Sequence, residues 1–239
     1  MPYLIHQDTI LYYETHGRGT PILLLHGNGE DCRYFDAQLP ALTAHGYRVI
    51  RMDTRGHGRS GWGKSPLTFT RFAADAAAVL DACGETSAHL LGFSDGGNTA
   101  ILFALQYPQR VRSLILNGAN LTPAGLKPGV RLLDAAGWAA GSFCGLFSEP
   151  AKKRAEIIGL MVTQPQIKAG WLEAIHAPAL VVAGQHDMIL RQHTEEIARR
   201  IPGAKLKILP GADHFLAARH PAQFNRMILS FLEEAEQKR

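Results

Sequence analysis

Six short apolar runs, rich in Val, Ile and Leu, punctuate the chain: "PILLLH", "YRVIRMD", "AHLLGFS", "VRSLILNG", "ALVVAG" and "AKLKILP". Continuous apolar runs, as opposed to strict alternation, suit strands covered on both faces, as in parallel sheets. Ahead of them, Tyr3 to His6 and Thr9 to Glu14 flank Gln7-Asp8 as a hairpin. Between the runs the spacing turns helical. Phe69, Phe72, Ala76, Val79 and Leu80 share one face, as do Phe224, Met227, Ile228, Phe231 and Leu232, and Pro221 suits the first turn of that last helix. Strand and helix in alternation predict an α/β fold, with a mostly parallel sheet and helices on both of its faces.

The alternation lapses between about Asn120 and Ile175, where "GWAAGSFCGLF" and "EPAKKRAEIIGLMVTQ" read as helices with no strand between them. The expected organisation is a core formed by residues 1–119 and 176–239, carrying a small helical cap insertion at 120–175. A chain of 239 residues has room for one such core.

Composition narrows the class without naming it. With 46% hydrophobic and 19% charged residues the chain has the content of a globular protein. The net charge of +4 is mild, and its groups, such as Lys152-Lys153-Arg154 and Arg199-Arg200, read as solvated helix faces, so no nucleic-acid partner is expected. Cys32, Cys83 and Cys144 form no CxxC pair, which argues against a disulfide framework or a zinc site. No window approaches the ~20 apolar residues of a membrane span, and the N-terminus lacks a signal-peptide pattern. The expectation is a cytoplasmic protein without membrane attachment, a monomer or a homodimer.

"GHGRSGWGKS" satisfies two phosphate-binding patterns at once, Gly56-x-Gly58-x-x-Gly61 and Gly58-x4-Gly63-Lys64-Ser65. Both need a helix to open at the far end of the glycine loop. Here Pro66 biases Ser65 away from helical backbone, and no helix starts before Leu67. Neither nucleotide reading survives that context.

"LLGFSDGGNTA" puts Gly92-x-Ser94-x-Gly96 between an apolar strand and a helix-compatible segment. A serine on so tight a turn needs small neighbours on either side, and this is the context of a nucleophile elbow. Its hydroxyl is a poor nucleophile at neutral pH, so it needs a base, and the base needs a carboxylate to orient it. Downstream, Asp187 follows "ALVVAG" and His214 follows "AKLKILP", each in a loop past the carboxyl end of a strand. In an open parallel sheet those ends share one edge, where ligands bind. The oxyanion donors expected beside them are the N–H groups of Asp95 and of Asn28, the latter in "LLLHGNGED". His26 reads as a hydrogen-bonding partner that shapes this loop, and Asp53 as structural.

The pieces "LLLHGNG", "DTRGHGRS", "LLGFSDGGNTA", "ALVVAGQHD" and "GADHF", in this order, resemble the α/β-hydrolase family of compact esterases and C–C hydrolases. The resemblance implies an eight-stranded, mostly parallel sheet with a small helical cap, and a Ser94-His214-Asp187 triad. It also implies that "DTRGHGRS" is a structural loop. Within the family, "GFSDGG" followed by "ILNGAN" is similar to the valacyclovir hydrolase (biphenyl hydrolase-like) branch, where the acidic residue after the nucleophile recognises a substrate ammonium. By position that residue is Asp95.

The expected activity is therefore hydrolysis of a small carboxylic ester, such as an α-amino-acid ester, through an acyl-enzyme. No cofactor is called for, and no histidine spacing points to a metal. C–C cleavage or cofactor-free perhydrolysis on the same triad stays open, as does a non-catalytic receptor. Trp138, Phe143, Phe147 and Trp171 are candidates to line a substrate pocket beneath the cap, or to form the cap's own small core.

Overall fold

A computed structural model of the chain describes residues 2–237. The N-terminal hairpin forms as β1 (Tyr3–His6) and β2 (Thr9–His16), turning at Gln7. There follow β3 (Thr20–Leu25), α1 (Leu39–Ala44), β4 (Tyr47–Met52), α2 (Phe69–Ala82), β5 (Ala88–Phe93), α3 (Asp95–Gln106) and β6 (Val111–Asn117). Next come α4 (Pro128–Cys144) and α5 (Glu149–Thr163), with no strand between them. The chain closes with β7 (Ala179–Gly184), α6 (Arg191–Arg200), β8 (Lys205–Leu209), α7 (Leu216–Arg219) and α8 (Pro221–Gln237).

The eight strands form one sheet in the order β1-β2-β4-β3-β5-β6-β7-β8. The β1–β2 and β2–β4 pairs are antiparallel; from β4 across β3, β5, β6 and β7 to β8 the pairing is parallel. The apolar runs are continuous because both faces are covered. Leu23 and Leu25 of β3 join the core beneath α2 and α3, whereas Ile22 and Leu24 join the opposite core with Leu42 of α1 and Phe224, Ile228 and Leu232 of α8. The strand β8 departs from that pattern. Its Lys205 is exposed, because β8 is an edge strand, where charge discourages pairing with a further chain.

The glycine-rich loop ahead of α2 is held by carboxylates. Asp53 accepts the N–H groups of Cys32 and Arg59, both at 2.8 Å, and Asp8 accepts those of Lys64 (2.8 Å) and Ser65 (2.9 Å). Arg55 is fully buried and grips Asp75 of α2 through two bonds of 2.7 Å. The helix starts only at Phe69, with the Thr68 hydroxyl accepting the Arg71 N–H as its cap. Amides that a phosphate would need are therefore already engaged by the protein's own acids, and the segment is structural.

The pair α4 and α5 lies between β6 and β7 in the chain. The two helices pack on each other along Gly137, Gly141 and Gly145 of the α4 segment, which face Ile158, Ala155 and Lys152. Attachment to the sheet domain runs through α5: Leu160 packs with Leu67, Phe69 and Phe72, while the Gln164 side chain donates to Leu67 O and accepts from Phe69 N–H.

Candidate active site

Five loops at the carboxyl ends of β3, β5, β6, β7 and β8 carry the residues that matter. Immediately after β5 the backbone of Ser94 adopts φ 52° and ψ −118°. A non-glycine residue at positive φ costs of order 1–3 kcal/mol and persists only where its surroundings over-determine it. Here they do. The Ser94 N–H donates to Asn117 O at 2.8 Å, its carbonyl accepts from Asn98 N–H at 3.0 Å, and a side chain on Gly92 or Gly96 would collide with backbone.

The turn aims the Ser94 hydroxyl at His214, whose Nε2 lies 3.0 Å from Oγ. On the other side of the ring, Nδ1 lies 2.7 Å from Asp187 Oδ1. An ionised carboxylate only accepts, so Nδ1 carries the proton and Nε2 is left to accept from the serine. Asp187 is fixed in turn, since the same oxygen accepts the Ile189 N–H at 2.9 Å, and both Asp187 and His214 are buried. The imidazole leans on Phe93, with ring centroids 4.8 Å apart, and Phe93 stacks on Tyr34 at 4.2 Å. The neighbours that could be mistaken for these residues are elsewhere: His186 is exposed, and Asp213 binds Phe215 N–H and Arg219.

Asp95 opens α3, so its N–H has no intrahelical acceptor. Asn28 sits in the loop after β3, shaped as expected by His26, whose Nε2 accepts the Thr54 N–H at 3.0 Å. The Asn28 side chain has a further role that the sequence did not disclose. Its amide donates to Asp95 Oδ2 at 2.8 Å and to Ile157 O of α5 at 2.9 Å, bridging the nucleophile turn and the helical insertion. Burial pushes the Asp95 carboxyl up to about 6, opposed by that hydrogen bond and by His214, with Asp134 of α4 pushing in the same direction as burial. Burial likewise raises Glu30, which accepts the Gly27 N–H, to about 7.

Gly118, after β6, was also missed. It takes φ 65°, and a Cβ there would fall 2.7 Å from His214 Cε1 and 2.8 Å from Nδ1. The signal was present in "LNGAN", but only the strand register shows what the glycine faces.

The four aromatic residues are not brought together at this site. Phe143 and Phe147 are 67% and 82% exposed and touch each other edge-on. The reason is helical phase: Phe143 is two residues past Gly141, about 200° round the helix, and so points away from α5. Trp138 lies against Gly159 and lines a cleft of about 460 Å³ with Trp62, Lys64, Leu67 and Leu160, none of which belongs to the triad. Trp171 is half-exposed beside Lys168 in the turn that precedes β7.

A strand, a strained serine turn and a helix, followed by an acid and a histidine on later strand ends, define an α/β hydrolase. The chain belongs to that family: its α/β-hydrolase-fold model matches residues 20–150. Among its relatives, a putative carbamate hydrolase, RutD, of Azorhizobium caulinodans is 34% identical, the match spanning 99% of this chain and 100% of the relative. The human serine hydrolase BPHL is 29% identical over 93% of this chain and 83% of its own length. A solved hydrolase from Pseudomonas aeruginosa superposes with a TM-score of 0.82 at 29% identity, covering 96% of this chain and 97% of that one. Among the described residues no helix is long and apolar enough to cross a membrane.

Proposed function

We propose that the chain is a serine hydrolase of small carboxylic esters, with a preference for esters that carry an ammonium group near the carbonyl. The observation that carries this reading is the hydrogen-bonded series Ser94 Oγ, His214 Nε2, His214 Nδ1 and Asp187 Oδ1, at 3.0 and 2.7 Å. Ser94 Oγ attacks the carbonyl as its proton passes to His214 Nε2, and Asp187 stabilises the resulting imidazolium. The negative charge that develops on the carbonyl oxygen is met by the N–H groups of Asn28 and Asp95. Collapse of the tetrahedral species expels the alcohol, which takes the proton from His214. Water, deprotonated by the same ring, then releases the acid and regenerates Ser94.

The preference for a cationic substrate rests on Asp95. Its carboxylate is buried, titrates at about 6 and is ionised at neutral pH, one residue from the nucleophile. A carbamate is a second substrate class for the same steps, favoured by the name of the relative that matches across nearly the whole chain.

Rate and labelling measurements test the proposal. Ser94→Ala should lower kcat on a p-nitrophenyl ester by at least about 10⁴-fold, and a fluorophosphonate should label Ser94 alone in a peptide map; full activity in the variant overturns the triad. An amino-acid ester should outpace its N-acetylated form at pH 7, where its amine is protonated and Asp95 is ionised, and equal rates overturn the ammonium preference. A carbamate panel run beside them decides between the two acyl classes.

A further inference from the structure

Among the described residues, the outer face of α4 has no packing partner. Leu132, Leu133, Phe143, Leu146 and Phe147 are each about two-thirds exposed or more, and the alanines between them are exposed as well. At about 100° per residue, Leu132, Leu133 and Phe143 and the exposed alanines between them lie away from the Gly141 side that meets α5, with Leu132 at the edge of a cleft that reaches Met161 and Val162. The turn after Cys144 continues the stripe, since the Phe143 and Phe147 rings meet at 6.1 Å.

We propose that this face is a homodimer interface, in which α4 crosses the same helix of a second copy antiparallel, about a two-fold axis at Ala139 and Ala140. The order of sizes along the stripe is self-complementary under that operation, as an isologous contact requires. Leu132 meets Phe147, Leu133 meets Leu146, and Phe143 enters the space left by Ala136, while the central alanines let the two backbones approach closely. No charge is buried in the process. Between Arg131 and Glu149 the only charged residue is Asp134, which lies on the α5 side of the helix and is partly buried. The antiparallel arrangement also brings the Arg131 end of each helix to the Glu149 end of the other, a pairing that fixes direction more than it adds affinity.

The area is sufficient. Phenylalanines bury about 150–250 Å² each, and with three leucines and three alanines the stripe comes to the order of 800 Å² per partner, the size of a standard stable interface. A contiguous apolar surface of that size exceeds the roughly 300–600 Å² that an ordinary monomer leaves uncovered.

Sedimentation velocity of the full chain at micromolar concentration tests the idea. The expected species has twice the 26.1 kDa chain mass, and Leu133→Glu or Leu146→Glu should convert it to a monomer with an unchanged circular dichroism spectrum. Arg131→Glu should weaken the dimer at least severalfold, with Arg131→Glu/Glu149→Arg restoring it. Ala140→Cys in a Cys144→Ser background should give a covalent dimer when diamide takes two electrons and two protons from the paired thiols. A wild-type monomer at these concentrations overturns the proposal, as does a dimer indifferent to both glutamate variants. Capture of the monomer by anionic lipid vesicles through this face overturns it as well.

Discussion

Asp95 carries two demands in the proposed reaction: its N–H is the proposed oxyanion donor, while its buried carboxylate accepts a hydrogen bond from Asn28. A folded-state value of about 6, against 3.8 for a free aspartate, means that the folded protein binds this proton more tightly than the unfolded chain does. Stability from this group is therefore gained as pH falls through about 6 and is missing above it. Asp95→Asn is expected to stabilise the protein at pH 8 by on the order of 3 kcal/mol at most, seen as a higher Tm, with the gain vanishing near pH 4; differential scanning calorimetry at the two values checks it. The same variant should erase the rate advantage of a cationic ester over a neutral one. In the unaltered protein that advantage should fade as pH drops below about 6. Gly118 offers a second residue-level expectation. Gly118→Ala would put a methyl group against the His214 ring and force a positive φ on alanine, so kcat should fall about 10²-fold or more with KM little changed, as for a catalytic group displaced by an ångström. Asp95 was legible as a candidate from its place after the serine, but its bond to Asn28 depends on β3 lying beside β5. A glycine in "LNGAN" has an ordinary explanation, and only the pairing of β6, β7 and β8 brings it against the imidazole.

Among the elements, α4 and α5 differ most from what the pattern of residues conveyed. Two amphipathic helices were legible between Asn120 and Ile175, but which of their faces turns inward depends on tertiary fit. Three glycines four residues apart let α4 lie close against α5, and that choice sends Phe143 and Phe147 to the surface. The aromatic residues were the more conspicuous signal and the small ones the deciding one. Because α5 carries the attachment, Leu160→Ala should act locally. Removing that side chain from Leu67, Phe69 and Phe72 is expected to cost about 2–4 kcal/mol of the helices' own stability. Hydrogen exchange should accelerate across α4 and α5 while β3, β5 and β6 keep their protection. Uniform acceleration throughout the chain would contradict the local account.

For the molecule as a whole, the sheet was the most legible part, because burial on both faces leaves uninterrupted apolar runs that few other architectures produce. Ser94, Asp187 and His214 were legible for a related reason. Each follows such a run, and parallel pairing brings the ends of β5, β7 and β8 to one edge. What a linear reading lacks is the set of side-chain contacts across that edge, which is why the Asn28 bridge had to await the fold. The same topology distributes the reacting groups unevenly along the chain. On the proposed reaction, Ser94 and the Asn28 and Asp95 amides precede the short turn between α4 and α5, and Asp187 and His214 follow it. On that reading a chain divided between Gly145 and Ser148 yields two fragments that are each inert, joined again by the β6–β7 pairing, by α4 against α5 and by α8 against α1. Turnover that appears on mixing the halves, in proportion to the scarcer one, would make this molecule a reporter of its own reassembly.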